Sequence, residues 1–395
     1  MKKIVLYSFP SYGHINLPAN LARELVKQGY SVLFYSTDEF RQYAESTGAL
    51  YKSYPSYTEF DGTVSRNGAK NAAAVMRMSE ELLPELLYYA NKEHADYIIH
   101  DGMAIWGKII GHIRQIPSAS LITTIAFIRK AGFRYPGIYF KFLMKSAMTG
   151  KLFLDTRKKY IGLLKKYRMK PEIFEDIFMN TEKLNLVSTS SYFHPCADYF
   201  PPSFKFIGPS IYPRLEKDTF LKRLDPQIKI IFISLGTIVN DDPDFYRMCI
   251  GALNNKPYQV IISLGKGFSA SDFPDVPKNI ILKNFVNQLE VLQKADIFIT
   301  HAGMNGVNES LYYGVPMILV PDTEEQLAIA VRTQELHAGI LFKKKQLRKE
   351  TLLQAIEKIL NDPVYKENAV KIQKTLREAG GHIKGAQEII DSFEK

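Results

Sequence analysis

Residues 296–326, DIFITHAGMNGVNESLYYGVPMILVPDTEEQ, hold the densest set of groups that could do chemistry. An apolar strand over 297–300 runs into a glycine-containing loop, and a helix is predicted from about Asn305. Gly314 closes that helix, Val315-Pro316 turns the chain, and 317–320 forms a second buried strand. A strand–loop–helix–strand unit of this kind aims the helix N-terminus at the carboxyl edge of a parallel sheet. Unpaired N–H groups and a partial positive charge gather there, which suits phosphate. His301 and Asn305 add side-chain donors at that point. One turn on, Glu309 offers a carboxylate that can accept both hydroxyls of a ribose. The segment reads as a nucleotide-diphosphate site.

A second group lies in the first half. His14, in SYGHINLP, stands beyond the first strand and before Pro18, where the helix is expected to open. Open α/β sheets place ligands at that edge, and an imidazole there can take a proton near neutral pH. The plainer reading is a loop or capping histidine. Asp101 ends the run DYIIHD at the same edge. First and fourth strands are neighbours in a doubly wound sheet, so Asp101 could bond the His14 ring, fix its tautomer and make it a better base. Alone, Asp101 would be an ordinary loop acid; the pairing gives it meaning. His100 points to the opposite sheet face, because side chains alternate along a strand.

Further groups follow strands in the second half. Ser234, Gly236 and Thr237, in SLGT, could form a backbone nest with two hydroxyls for phosphate. Phe285, in FVNQ, could stack on a base while neighbouring backbone groups read its edge; packing in the core is its alternative. Glu325-Gln326 could accept from and donate to sugar hydroxyls, against the plainer reading of a solvated loop.

Stepping strands and helices are needed to hold these groups. Strands are predicted at 2–8, 31–36, 96–100, 120–124, 184–188 and 204–207, with a helix over 18–28 closed by Gly29. A Gly/Pro-containing stretch, IGPSIYP, interrupts the pattern at 207–213. It restarts with strands at 228–234, 259–263, 280–283, 296–300 and 317–320. The expected fold class is α/β, two Rossmann-like domains facing each other across a cleft. Residues 1–207 form the first domain, 208–222 a linker, 223–375 the second domain and 376–395 a C-terminal helical tail. Ligands are expected in the cleft.

At 395 residues the chain can bury two cores, and 46% hydrophobic with 23% charged residues fits a globular protein. No apolar run approaches the ~18–20 residues of a membrane span. The start, MKKIVLYSFPSYGH, lacks a small-residue cleavage site and reads as a first strand. Two distant cysteines, Cys196 and Cys249, fit a reducing cytoplasm, and no cluster has metal-ligand spacing. The net charge of +10 is uneven: residues 129–170 carry thirteen Lys/Arg against Asp155 alone, a net of +12, so the remainder is near −2. Apolar residues interleave these charges as in amphipathic helices. A solvated helical face is one reading; contact with an anionic membrane surface or an acidic acceptor is another. No recognition motif accompanies the charge, so nucleic acid is not expected as a partner.

Assembled, these residues resemble family 1 UDP-dependent glycosyltransferases of the two-domain GT-B type, close to bacterial macrolide and flavonoid glucosyltransferases. The likeness spans essentially the full length. The family's donor signature is His-x-Gly-x-Asn-Ser, a Glu four residues after the Asn, then Gly-Val-Pro and Asp-Gln. This chain has His301, Gly303, Asn305, Gly306, Glu309, Gly314-Val315-Pro316 and Glu325-Gln326. So many fixed residues at fixed spacing form a specific signal. Phe285 and Gln288 match the family's Trp/Tyr-x-Pro-Gln element, Ser234–Thr237 its phosphate loop, and His14 and Asp101 its His–Asp pair.

The resemblance implies roles. Phe285 would stack on uracil with the Val286 backbone on its edge, and Gln288 and Glu309 would hold the ribose. Ser234, Thr237, His301, Asn305 and the Gly306 amide would bind the diphosphate, with Gly236 and Gly303 also on the donor side, and Glu325 and Gln326 would grip the sugar. His14 would deprotonate an acceptor hydroxyl that attacks the anomeric carbon with inversion, while Asp101 balances the charge forming on the ring. UDP-sugar is a co-substrate; no cofactor and no metal are implied. The acceptor is expected to be a hydrophobic small molecule meeting the aromatic-rich stretch 125–153, with Trp106 beneath it or simply in the core.

Three positions depart from the family: Gly306 for Ser, Glu325 for Asp, and Asn287 for Pro. The first two motivate one rival, a catalytically silent sugar-nucleotide-binding protein. The basic segment motivates another, a membrane-surface glycosyltransferase acting on a lipid. A dinucleotide dehydrogenase fits poorly, since the first strand leads into SYGHINLP and not Gly-x-Gly-x-x-Gly.

Overall fold

The computed structural model describes residues 1–54, 67–126, 136–137, 150–170, 177–213, 218–236 and 242–394. They divide into two α/β units, Met1–Ser210 with Ala379–Lys395, and Ile211–Glu378.

In the first unit, seven strands form one sheet: β1 (Lys3–Tyr7), β2 (Ser31–Ser36), β3 (Leu50–Ser53), β4 (Tyr97–Asp101), β5 (Ser118–Ile122), β6 (Leu184–Val187) and β7 (Phe204–Phe206). Their order is β3-β2-β1-β4-β5-β6-β7, every pair parallel. Alternation along β1 explains the two cores. Ile4 and Leu6 pack on one face with helix Tyr12–Lys27, whereas Val5 and Tyr7 pack on the other with helices Gly68–Glu93, Ile105–Arg114 and Gly150–Lys166. The chain reverses direction across the sheet between β1 and β4, so loops after those two strands diverge and open a crevice.

The second unit repeats the plan with β8 (Ile230–Ser234), β9 (Gln259–Ser263), β10 (Ile280–Lys283), β11 (Ile297–Thr300), β12 (Met317–Leu319) and β13 (Gly339–Leu341). The order is β10-β9-β8-β11-β12-β13, again parallel, with its switch between β8 and β11. Phe232 and Phe298 stack across that junction at 4.8 Å.

Two strands escape the sequence pattern, β3 and β13, one at an edge of each sheet. Neither has a long apolar run, since an edge strand buries less of itself; β3 is mostly exposed. The stretch expected as a tail supplies helix Gly381–Phe393, which belongs to the first unit. Its Ala386 and Ile389 are wholly buried beside Leu21 and Leu186, and Phe393 stacks on Tyr97 at 4.3 Å. A Cβ at Gly385 would come within 2.9 Å of the side-chain ends of both Ile207 and Leu21, so a larger residue there would force these two to shift. Within the expected linker, Asp218 precedes a short 3-10 turn, Thr219–Arg223.

Candidate functional site

The helix carrying His14 begins at Tyr12, not at Pro18 as expected. Pro18 lies inside it, in the second turn, where the proline lacks the N–H that would otherwise reach back four residues. His14 therefore sits in the first turn, its N–H bonded to the Ser11 carbonyl at 2.8 Å. Asp101 is wholly buried at the end of β4, next to β1. Its Oδ2 lies 2.9 Å from His14 Nδ1, and its Oδ1 accepts the Met103 N–H at 2.8 Å. A second oxygen meets the same ring nitrogen: Thr123 Oγ1, just beyond β5, also stands 2.9 Å from His14 Nδ1. Sequence reasoning missed Thr123, although a small hydroxyl at the carboxyl end of a neighbouring strand was a usable signal.

Nδ1 is thus held inside the protein, which makes Nε2 the nitrogen for proton transfer. The His14 side chain is 20% exposed, enough for a substrate to reach it. The loop before it is tied down by a buried relay, in which the Trp106 N–H donates to the Tyr54 hydroxyl and that hydroxyl donates to the Ser8 carbonyl. Trp106 is completely buried, so it belongs to the core and does not line an acceptor site. His100 turns the other way, as alternation requires, and its ring bridges the Asp101 carbonyl and the Glu182 carboxylate. Of the stretch expected to meet the acceptor, 127–135 and 138–149 lie outside the described residues.

In the second unit, Ser234 and His301 flank the β8/β11 switch. The His301 ring is sandwiched by two glycines: a Cβ at Gly236 would sit 2.6 Å from its Cε1, and one at Gly303 2.5 Å from its Nε2. Gly236 also has φ +85°, and its N–H bonds Ser234 Oγ at 3.3 Å. Between His301 and Gly303, Ala302 holds φ +66°, a conformation uncommon outside glycine and typical of functional turns. Among the described residues, His301 Nδ1 is buried without a hydrogen-bond partner. Burial pushes the pKa of this imidazole down to about 4, against an upward pull from the Asp322 carboxylate. It is therefore a neutral ring at pH 7.

Gly303 is also the N-cap of helix Met304–Tyr312 and has no side chain to satisfy the first turn. Asn305 and Gly306 follow within that turn. A Cβ on Gly306 would meet only ordinary contacts, with Phe298 at 3.6 Å, Thr300 Oγ1 at 3.7 Å and Gln288 Nε2 at 3.9 Å. Serine would fit sterically, and the adjacent Thr300 hydroxyl is itself buried and, among the described residues, unpartnered. Thr237 lies outside the described residues.

Gln288 and Glu309, expected to share a ribose, are in direct contact: Gln288 Nε2 donates to Glu309 Oε2 at 2.6 Å. Phe285 is 52% exposed in the loop after β10, which rules out the core reading and leaves a ring face for stacking. Asn287 explains one departure from the family pattern. Its N–H donates to Asp218, whose own N–H donates to Glu290 at 3.0 Å, and its side chain caps helix Gln288–Leu292. Proline could make neither the N–H bond nor the cap. The two residues expected on the sugar differ in setting. Glu325 is exposed in the first turn of helix Glu324–Glu335, and Gln326 is buried. Gln326 Oε1 accepts the N–H groups of Asp322 and Thr323 at 2.8 and 3.2 Å, forming a capping box with Thr323. Its carbonyl oxygen is thereby committed to the backbone, and the NH2 is the part of the amide left to donate, as the paired reading of Glu325 and Gln326 requires.

Comparison with known proteins places the chain in a family. The family model described as "UDP-glucoronosyl and UDP-glucosyl transferase" matches residues 225–378. NDP-glycosyltransferase YjiC of Bacillus licheniformis is 34% identical, the alignment spanning 98% of this chain and 97% of the relative. The chain belongs to the UDP-glycosyltransferase family. It is accordingly an enzyme that moves a sugar from a UDP-sugar to an acceptor. Another member, the uncharacterized UDP-glucosyltransferase YojK of Bacillus subtilis, is 27% identical over 100% of this chain and 98% of its own. Among solved structures, the glycotransferase of kitacinnamycin superposes with a TM-score of 0.86 at 24% identity, covering 99% of this chain and 98% of that one, and supports the GT-B fold. No described helix is long and apolar enough to cross a membrane.

Proposed function

We propose that this glycosyltransferase transfers a hexose, glucose first among candidates, from its UDP-sugar to a hydroxyl of a hydrophobic small molecule, with inversion and without a metal. The observation that carries the catalytic reading is the 2.9 Å contact between His14 Nδ1 and the buried Asp101 carboxylate. Asp101 stabilises the imidazolium that forms as Nε2 takes the acceptor proton. The acceptor oxygen then bonds the anomeric carbon on the side away from the departing UDP. At the second unit, Phe285 stacks on uracil beside the Val286 backbone, and Gln288 and Glu309 hold the ribose. The diphosphate lies at the uncapped helix N-terminus, with Ser234, Gly236, Thr237, His301, Gly303, Asn305 and Gly306 around it. These donors and the helix dipole supply the charge stabilisation that a metal would otherwise give. Glu325 and the Gln326 NH2 contact the sugar.

Glucose is favoured by the name of the relative YojK, and the acceptor class by the aromatic composition of 125–153. His14→Ala tests the reading: transfer should nearly vanish while UDP affinity stays within a few-fold. Equal collapse of UDP binding would make His14 structural. The silent-protein alternative predicts no UDP release from UDP-glucose with any phenolic acceptor, and a mass-spectrometric screen of donors and acceptors separates the two.

A further inference from the structure

The sugar-transfer reading leaves unused the strongest electrostatic feature of the chain, its basic segment, of which the structure describes residues 150–170 almost wholly as one helix. Helix Gly150–Lys166 carries six basic residues against Asp155 alone. Its two faces are cleanly divided. Thr156, Tyr160, Leu163 and Leu164 are buried in the core of the first unit, with Phe153 partly buried beside them. On the opposite side, Lys151, Lys158 and Lys165 recur every seven residues and are exposed along one line, flanked by Arg157 and Lys166. Lys159 is paired with Glu80 of helix Gly68–Glu93 at 3.3 Å. Among the described residues, no carboxylate lies within ion-pair distance of the other five cations of this helix. Two leucines break the cationic face near its start: Leu154 is 60% exposed and Leu152 37%.

We propose that this face docks the protein on an anionic phospholipid surface. The charge is complementary, and it is fixed in place because the helix is anchored by its buried side. Exposed leucines favour lipid over a nucleic acid: they can enter the headgroup–acyl boundary, whereas a phosphodiester backbone in water offers them nothing. The aromatic rings that would stack on bases, Phe153 and Tyr160, face inward. Because the helix has already spent its apolar stripe on the core, it cannot insert. Attachment is therefore peripheral, largely electrostatic and labile to salt.

The inference does not depend on the transfer reaction, and its test does not read transfer. The full chain is sedimented with vesicles of mixed phosphatidylglycerol and phosphatidylcholine, with phosphatidylcholine alone, and its retention of a single-stranded RNA homopolymer is measured in parallel. At low salt the protein should sediment with the anionic vesicles only, and high salt should release it. The triple variant K151E/K158E/K165E should lose at least about tenfold in partition, since each basic residue near such a surface contributes on the order of 1 kcal/mol. UDP affinity and melting temperature should not change in that variant. Leu154→Ser should weaken the partition a few-fold with the charge intact. No sedimentation at low salt, an unchanged partition in the triple variant, or tighter binding to RNA than to lipid would each overturn the proposal.

Discussion

One ring nitrogen of His14 meets two oxygens, Asp101 Oδ2 and Thr123 Oγ1, both at 2.9 Å. A single N–H cannot be linear to both, so Thr123 acts through the orientation of the ring and is a positioning residue. Thr123→Val should lower kcat by about tenfold, the scale of a slight misplacement of a catalytic group, with KM for the donor unchanged; Thr123→Ser should restore it. A rise in donor KM instead would place Thr123 on the donor. In the second unit, Gly236→Ala puts a methyl 2.6 Å from His301 on a backbone with positive φ. A cost of roughly 1–3 kcal/mol in a denaturant titration and a large loss of UDP affinity are expected. His301 itself makes stability depend on pH. Its folded pKa, about 4, lies below the ordinary 6.5, so the unfolded chain binds the extra proton between those values. The stabilisation is full above pH 6.5 and is lost as pH falls toward 4, by up to about 3 kcal/mol. His301→Gln should flatten that slope in acid denaturation curves.

Elements place these residues by their ends more than by their interiors. The helix Met304–Tyr312 offers its N-terminus because the N-cap is glycine, and its other end is held by Lys366, bonded to the Gly314 carbonyl, and by Gln373 and Arg377, both on the Tyr312 carbonyl. Cations at a helix C-terminus complement its dipole, so this arrangement steadies the helix from the end opposite Gly303. Gly306 sits in the third helical position with ordinary van der Waals room around a Cβ. Gly306→Ser should raise the melting temperature, since serine is about 0.5 kcal/mol better than glycine in a helix. Its hydroxyl can also reach Thr300 Oγ1 or the diphosphate, so calorimetry should show tighter UDP binding. Weaker binding would mean that the gap at Gly306 is itself used by the ligand.

At the scale of the molecule, the last seventeen residues belong to the unit formed by the first 210. Removing 379–395 uncovers Leu21, Leu186 and Tyr97 and takes away Ala386 and Ile389; the apolar area lost is worth at least roughly 4 kcal/mol. The truncated chain should show an early melting transition, while the second unit keeps its UDP affinity. That topology was not legible in the sequence: an amphipathic helix announces that one face is buried, but not against which core. The central strands were legible, because a parallel strand covered on both faces must be a continuous apolar run. Edge strands β3 and β13 were not, because an edge needs no such run. The His14–Asp101 contact was legible from strand order, and the grouping of His301, Gly303, Asn305 and Gly306 at a helix start from their spacing. Thr123, the Asp218–Asn287 contact and the capping bond of Gln326 came only with tertiary structure. Each depends on which loop ends lie side by side, or on which partner takes an amide, and local spacing carries neither. The sequence determined what chemistry the chain could support; the packed structure decided which polar atoms are already committed and which remain for a substrate.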